Sequence, residues 1–291
     1  MKPNIYKMFI TDLDGTLLDD RKNISEENII ALKKLTDYQV FITVFTGRNY
    51  LSAKRFIDAL GIDIPVVFQN GAFIMNPKSK EVLYQSMLPG PEARSITEIA
   101  LASGLEVVAY KGFLDLPDMM VERTDWLGFP YESYIRNNSH RIQIVDSLLE
   151  TISSFSELSQ LAVIGPEGEL RELEMRVRAL YPETVSPILS DVQNGSGFLE
   201  FFGPQVSKGI ALEKVLARFH IEPGHTVFIG DNYNDLELME KVGFPVAVEN
   251  SPEPIKKRCR LVVTGNNESG VADAVNRIFF NEEGQVAAGR K

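Results

Sequence analysis

The sequence predicts an α/β protein with a doubly wound parallel sheet, interrupted by a second α/β unit. Two observations predict the sheet: short, fully apolar runs alternate with helix-length amphipathic segments at both ends of the chain, and those runs stop abruptly at small polar or charged residues. A third predicts the interruption. Between Leu88-Pro89-Gly90-Pro91 and Asn194-Gly195-Ser196-Gly197 the texture changes, with Pro and Gly punctuation at both ends. At 291 residues the chain is long enough for two domains, each with its own core.

Taken in order, Tyr6 to Ile10 reads as a buried strand ending in Asp12-Leu13-Asp14-Gly15-Thr16, and Leu17 to Asn23 as a short polar connection. Ser25 caps a helix whose apolar face is Ile29, Leu32 and Leu35. Val40 to Phe45 is a second buried strand, ending in Thr46-Gly47-Arg48, and a helix from about Tyr50 to Leu60 follows. Pro65 to Phe68 is a third, ending in Gln69-Asn70-Gly71, and the segments around Asn76 to Lys80 form a hairpin. The interrupting region, 88–193, alternates helices (Glu92 to Ser103, Asp146 to Phe155, Gly168 to Leu180) with strands (Leu105 to Tyr110, Arg141 to Val145, Gln160 to Ile164, Val185 to Leu189). The first texture is expected to resume with a core strand at Phe198 to Phe202 and a helix from Val206-Ser207-Lys208-Gly209 through Phe219. Then come a strand at Thr226 to Ile229 ending in Gly230-Asp231-Asn232-Tyr233-Asn234-Asp235, a helix near Leu236 to Val242, strands at Phe244 to Val248 and Leu261 to Val263, and a helix from Gly270 to Phe280. The tail, Asn281 to Lys291, has little to bury and is expected to fray.

Composition narrows the function classes. Apolar and charged contents of 44% and 24% are ordinary for a soluble globular chain, and a net charge of −10 argues against a general nucleic-acid binder, which needs a basic face. One cysteine, Cys259, rules out an internal disulfide framework, and the scattered His140, His220 and His225 suggest no zinc site. With no signal-like start and no apolar run near the roughly 20 residues of a membrane span, the expectation is a cytoplasmic protein, monomer or homodimer, without membrane partners.

The chemistry gathers at the strand ends. In extended backbone Asp12 and Asp14 point the same way, and two carboxylates that close need a cation between them or a proton on one. A bare Asp-x-Asp-Gly is equally an Asx turn closing a strand, Thr46-Gly47-Arg48 equally a capped turn, Lys208 alone a solvated side chain, and Gly230-Asp231 a β-to-α turn. Together they make chemical sense: several acids bind Mg²⁺ through oxygen, while a hydroxyl and an ammonium bind phosphate. There is no Gly-rich loop ending in Gly-Lys-Ser/Thr and no Gly-x-Ser-x-Gly elbow to support nucleotide triphosphate or serine hydrolase chemistry.

These motifs, in this order, resemble the haloacid dehalogenase-like phosphatase superfamily in its Cof-type branch: Asp12-Leu13-Asp14-Gly15-Thr16, Thr46-Gly47-Arg48, Lys208-Gly209, and Gly230-Asp231-Asn232-Tyr233-Asn234-Asp235. Asn70-Gly71-Ala72, Glu200 followed by Val206-Ser207-Lys208-Gly209, and Glu268-Ser269-Gly270-Val271 are similar to further stretches of that branch. The resemblance implies a Rossmann-like core, 1–87 and 194–291, with an α/β cap inserted at 88–193 that covers the leaving group. It implies that Asp12 attacks phosphorus, that Asp14 serves as acid and then base, and that Mg²⁺ is held by the Asp12 side chain, the Asp14 carbonyl and Asp231, with Asn234 and Asp235 close by. Thr46, Gly47 and Lys208 would hold the phosphoryl group, with Arg48 and Asn70 toward the leaving group or the cap. The expected substrate is a small phosphorylated metabolite, such as a sugar phosphate or phosphorylated cofactor. Trp126, Tyr131, Tyr134 and Arg136 are candidates for reading its leaving group. A phosphomutase of the same superfamily and a non-catalytic phosphometabolite-binding regulator are the alternatives; a dehalogenase proper has no use for Asp14.

Overall fold

The structure, a computed structural model, describes residues 5–114, 116–125, 131–193 and 195–280. The expectations for Trp126 and for the tail from Asn281 fall outside them. The chain packs as two compact units, Met1–Tyr84 with Ser207–Lys291 and Gln85–Val206.

The first unit opens with β1 (Met8–Thr11), α1 (Glu26–Asp37), β2 (Phe41–Val44), α2 (Tyr50–Leu60), β3 (Val66–Phe68), β4 (Phe73–Met75) and β5 (Val82–Gln85). Each helix starts where a side chain can take an orphan N–H: Ser25 accepts from Asn28 N before α1, and Asn49 from Ser52 N before α2. β1 is buried along its whole length, as a central parallel strand with both faces covered must be.

The second unit runs from β6 (Leu88–Pro89) through α3 (Gly90–Ala102), β7 (Glu106–Tyr110), β8 (Met119–Val121), α4 (Tyr131–Asn138), β9 (Ile142–Ile144), α5 (Leu148–Ile152), β10 (Glu157–Leu158), β11 (Gln160–Pro166) and α6 (Glu167–Leu180) to β12 (Ser186–Gln193) and β13 (Ser196–Phe202). Its main sheet has the order β12-β13-β11-β7-β8-β9, antiparallel except for the parallel pair β8–β9. Strand alternation divides the side chains. Val107, Ala109, Leu161, Val163, Leu199 and Phe201 pack with residues of α3, α5 and α6, whereas Val108, Tyr110, Ala162, Ile164 and Phe198 meet Tyr134 and Ile135 of α4 on the other face.

Here the expected boundary needs correction. Phe198 to Phe202 is not a core strand: it is part of β13, paired on both sides within the second unit's sheet. Asn194 lies outside the described residues; its neighbour Gly195, expected to mark the boundary, stands instead at φ +78° beside the pairing of Gln193 with Ser196 that closes a hairpin between β12 and β13. Its alternating burial is that of a strand with two different faces, so the unit ends at Val206 and begins at Gln85, rather than at 193 and 88.

The chain then returns to the first unit with α7 (Lys208–Phe219), β14 (Thr226–Gly230), α8 (Leu236–Lys241), β15 (Phe244–Val248), α9 (Glu253–Lys256), β16 (Leu261–Val263) and α10 (Gly270–Val275). The five-stranded sheet has the order β16-β15-β14-β1-β2, with every pair parallel. An isolated parallel bridge from Phe45 to Val67 brings β3 alongside β2. Strand order reverses between β1 and β14, so the C-terminal ends of these two strands flank the switch point where ligands bind in such sheets. Beneath it lies a core of Met8, Ile10, Phe45, Val67, Leu212, Val215, Phe228 and Ala247. Among the described residues no helix is long and apolar enough to cross a membrane.

Candidate active site

At the switch point β1 delivers Asp12 and β14 delivers Asp231. Asp12 stays in ladder geometry, its N–H donating to Ile229 O at 3.0 Å. The chain then turns sharply: Thr16 N–H donates to Leu13 O at 3.3 Å and Leu18 N–H to the same oxygen at 2.9 Å, with Gly15 at φ +72°. Glycine is required here for a second reason. A Cβ on Gly15 would stand 2.3 Å from Asp231 Oδ2.

Lys208, the first residue of α7, lies fully buried with Nζ 2.9 Å from Asp12 Oδ1 and 2.7 Å from Asp235 Oδ1. Asp235 has both oxygens engaged, because its Oδ2 accepts the N–H groups of Asp231 and Asn232 at 3.0 and 3.1 Å. It thereby ties the β14 loop to Lys208. Oxygens of Asp12, Asp231 and Asp235 come within 4.8 Å of one another, a grouping able to hold a metal ion.

Electrostatics agree with that shortage of positive charge. Burial, only partly offset by Lys208, pushes the Asp12 carboxyl up to about 7, with Asp235 adding to the rise. Burial together with Asp12 and Asp235 lifts Asp231 well above the usual carboxylate range. Burial alone would lower Lys208, but the carboxylates of Asp12 and Asp235 outweigh it and hold the ammonium protonated.

A second group lies beside this cluster. Thr46, at the end of β2, is buried, and its backbone N–H donates to Val67 O at 2.9 Å while its hydroxyl oxygen accepts the Arg48 N–H at 3.1 Å. Asn70 sits in left-handed backbone at φ +55°, between Gln69 at φ +46° and Gly71 at φ +109°. The loop is pressed against the start of α7: a Cβ on Gly71 would lie 2.5 Å from Ser207 O. Asn70 N–H donates to Thr46 O at 3.0 Å, and its Oδ1 accepts from Asn234 Nδ2 at 3.0 Å, so the ends of β2, β3 and β14 are joined. Gly47 faces the same amide, since a Cβ there would meet Asn70 Oδ1 at 3.3 Å.

Asp14 is held apart from Asp12. Its carboxylate takes a bidentate pair from Arg48, Nε to Oδ2 at 2.5 Å and Nη2 to Oδ1 at 2.7 Å, and a third contact from Lys22 Nζ at 2.8 Å. Burial would raise it, but these cations win and hold the Asp14 carboxyl down to about 2. The structure thus brings together all ten residues singled out from sequence, and separates the two carboxylates of the first motif by partner. Lys22, Thr16 and Asn250, whose Nδ2 donates to Gly15 O at 2.8 Å, were not foreseen as site residues. Only Thr16 carried a signal, its place inside the first motif.

Of the proposed leaving-group readers in the second unit, Tyr134 packs its ring 5.0 Å from that of Phe198 and bonds the Tyr110 hydroxyl, and Arg136 pairs with Glu132 at 2.5 Å on the surface of α4. Both are accounted for within that unit.

Known proteins with this sequence pattern and fold span nearly the whole chain. The Bacillus subtilis protein YxeH is 27% identical over 280 residues, 95% of this chain and 99% of its own. The pyridoxal phosphate phosphatase YbhA of Escherichia coli is 25% identical over 279 residues, 92% of this chain and 97% of its own. A haloacid dehalogenase-like hydrolase from Bacteroides thetaiotaomicron, of solved structure, superposes with a TM-score of 0.78 at 26% identity, covering 94% of this chain and 100% of that one. Residues 9–275 match the sequence profile of the haloacid dehalogenase-like hydrolases, and the chain belongs to that family, in its Cof-type branch, as a hydrolase.

Proposed function

We propose that this enzyme hydrolyses small phosphomonoesters in a Mg²⁺-dependent reaction through an aspartyl-phosphate on Asp12. The observation that carries the reading is the Asp12 carboxylate itself: it is buried at the switch point, fixed by Lys208 Nζ at 2.9 Å, and has Asp231 beside it. A buried anion held at one oxygen by a cation is a positioned nucleophile.

The residues present fit a divalent ion. Their donors are carboxylate oxygens, and the space beside Asp231 Oδ2 is one that a Cβ on Gly15 would fill. Asp12, Asp231 and the Asp14 carbonyl would hold Mg²⁺, which when bound supplies the positive charge that lets an anionic phosphate approach an anionic nucleophile. Because Asp235 has both oxygens taken, its part is to aim Lys208 and the β14 loop. The Thr46 hydroxyl, the Gly47 N–H and the Lys208 ammonium would bind phosphoryl oxygens, with Asn70 and Asn234 bracing them.

In the first step an Asp12 oxygen bonds to phosphorus as the bond to the leaving oxygen breaks, and Asp14 gives that oxygen its proton. In the second, water attacks phosphorus and gives its proton to Asp14 as the bond between phosphorus and the Asp12 oxygen breaks, which releases phosphate and restores the Asp12 carboxylate. Arg48 and Lys22 hold Asp14 ionised, so before the first step it must leave those contacts and take up a proton from solvent, and a leaving group at Arg48 would favour that exchange. A panel of phosphomonoesters assayed with Mg²⁺ and with EDTA tests the proposal through kcat/KM. Turnover that requires the ion is expected; hydrolysis of none of them, or hydrolysis indifferent to EDTA, would overturn it.

A further inference from the structure

We infer that Thr16 is a positioning residue for Asp231, its hydroxyl fixing the carboxylate in the orientation that receives the divalent ion. The inference rests on the metal reading above and adds to it a residue with no direct contact to ion or substrate.

Thr16 is fully buried, and a buried hydroxyl needs an acceptor. The one it uses is Asp231 Oδ1, at 2.8 Å, across 215 residues of sequence. A bond from hydroxyl to carboxylate is charge-assisted and directional, so it sets the rotation of the Asp231 side chain. With Oδ1 committed, Oδ2 is the oxygen left for a cation, and it is the one closest to the Cβ that Gly15 lacks. The donor is itself held. Thr16 follows Gly15, whose carbonyl accepts from Asn250 Nδ2 at 2.8 Å, while Asn250 Oδ1 accepts the Asn266 N–H at 3.0 Å. The turn that carries the nucleophile therefore also aims the second carboxylate, and a single shift in it would misplace both.

The plain alternative is that Thr16 merely satisfies its own hydroxyl and fills space in the core. The two roles separate in the full-length protein stripped of metal. Thr16→Val keeps the volume and loses the hydroxyl, whereas Thr16→Ser keeps the hydroxyl and loses the methyl. Partners of metal ligands are commonly worth about 10- to 100-fold in metal affinity. By calorimetric titration with Mg²⁺ alone, Thr16→Val is expected to bind the ion at least about 10-fold more weakly than wild type, and Thr16→Ser within about 3-fold of it. If Thr16→Val does not fold, as read from the metal-free Tm, Thr16→Ala removes the same hydroxyl and takes its place. Unchanged Mg²⁺ affinity in the hydroxyl-free variant would overturn the inference, as would a Thr16→Ser protein as weak as Thr16→Val. A wild-type protein that binds no Mg²⁺ would instead remove the metal reading beneath it.

Discussion

Each of the two units buries charge, and the two do so in opposite ways. In the second unit Arg141 and Asp118 form a closed pair, Nε to Oδ1 at 2.9 Å and Nη2 to Oδ2 at 2.5 Å, with the side chains 8% and 1% exposed. Each carboxylate oxygen has its own donor, and Asn138 Oδ1 takes Arg141 Nη1 at 2.7 Å. In the first unit, three carboxylates face one ammonium: Asp12, Asp231 and Asp235 against Lys208. Burying a charge is tolerable when it is paired. A balanced pair therefore braces a fold, while an unbalanced cluster is a place for something with positive charge to bind.

Substituting the proposed nucleophile should give the largest effect. Asp12→Asn is expected to lower kcat by at least about 10⁴-fold, the scale seen when a covalent nucleophile is removed. It also relieves repulsion in the unbalanced cluster, so the metal-free variant should melt no lower than wild type at pH 8. Near-normal turnover would end the proposed mechanism, and a large loss of Tm would mean that Asp12 is structural.

The balanced pair should respond the other way. Arg141→Met strands the Asp118 carboxylate and is expected to cost about 3–5 kcal/mol, while replacing both partners, Asp118→Leu with Arg141→Met, should recover most of the loss. Thermal or urea unfolding checks this. If the double variant is as unstable as the single one, the pair is more than a satisfied brace.

Metal and pH sharpen the contrast. Burial raises the folded Asp12 carboxyl to about 7, above its ordinary value, so its contribution to stability is present at low pH and fades as pH rises through about 7. On the proposed metal reading a divalent ion would bind the ionised form, so Mg²⁺ affinity should increase over the same range. The gain in Tm on adding Mg²⁺ is therefore expected to be greater at pH 8 than at pH 6. An equal gain at both would mean that Asp12 does not titrate there.

How much of this was legible in the sequence follows the same division. Asp12, Thr46, Lys208 and Asp231 stand where buried runs end or a helix begins, so period and punctuation find them. The pairings of Thr16 with Asp231 and of Asn250 with Gly15 span 215 and 235 residues and leave no periodic trace. The Leu199-Glu200-Phe201-Phe202 run looks alike as a core strand or a strand of the second unit, and only pairing with β11 and β12 decides. β8, three residues of Met119–Val121, is too short for a pattern to declare itself.

The smallest effect belongs to charge that is neither buried nor unbalanced. Lys22 meets Asp14 at 2.8 Å, but the two side chains are 48% and 39% exposed, and Arg48 already holds the same carboxylate at both oxygens. Exposed pairs contribute at most about 1 kcal/mol, and water screens this one, so Lys22→Met should shift the Tm by no more than about 2–4 °C. Raising the salt to about 0.5 M, where the screening length shrinks to about 4 Å, should abolish that difference. The deficit of Arg141→Met should persist in the same buffer, because buried pairs are screened much less. If salt erases both differences, the Arg141–Asp118 pair is as open to solvent as the Lys22 contact, and burial is not what separates them.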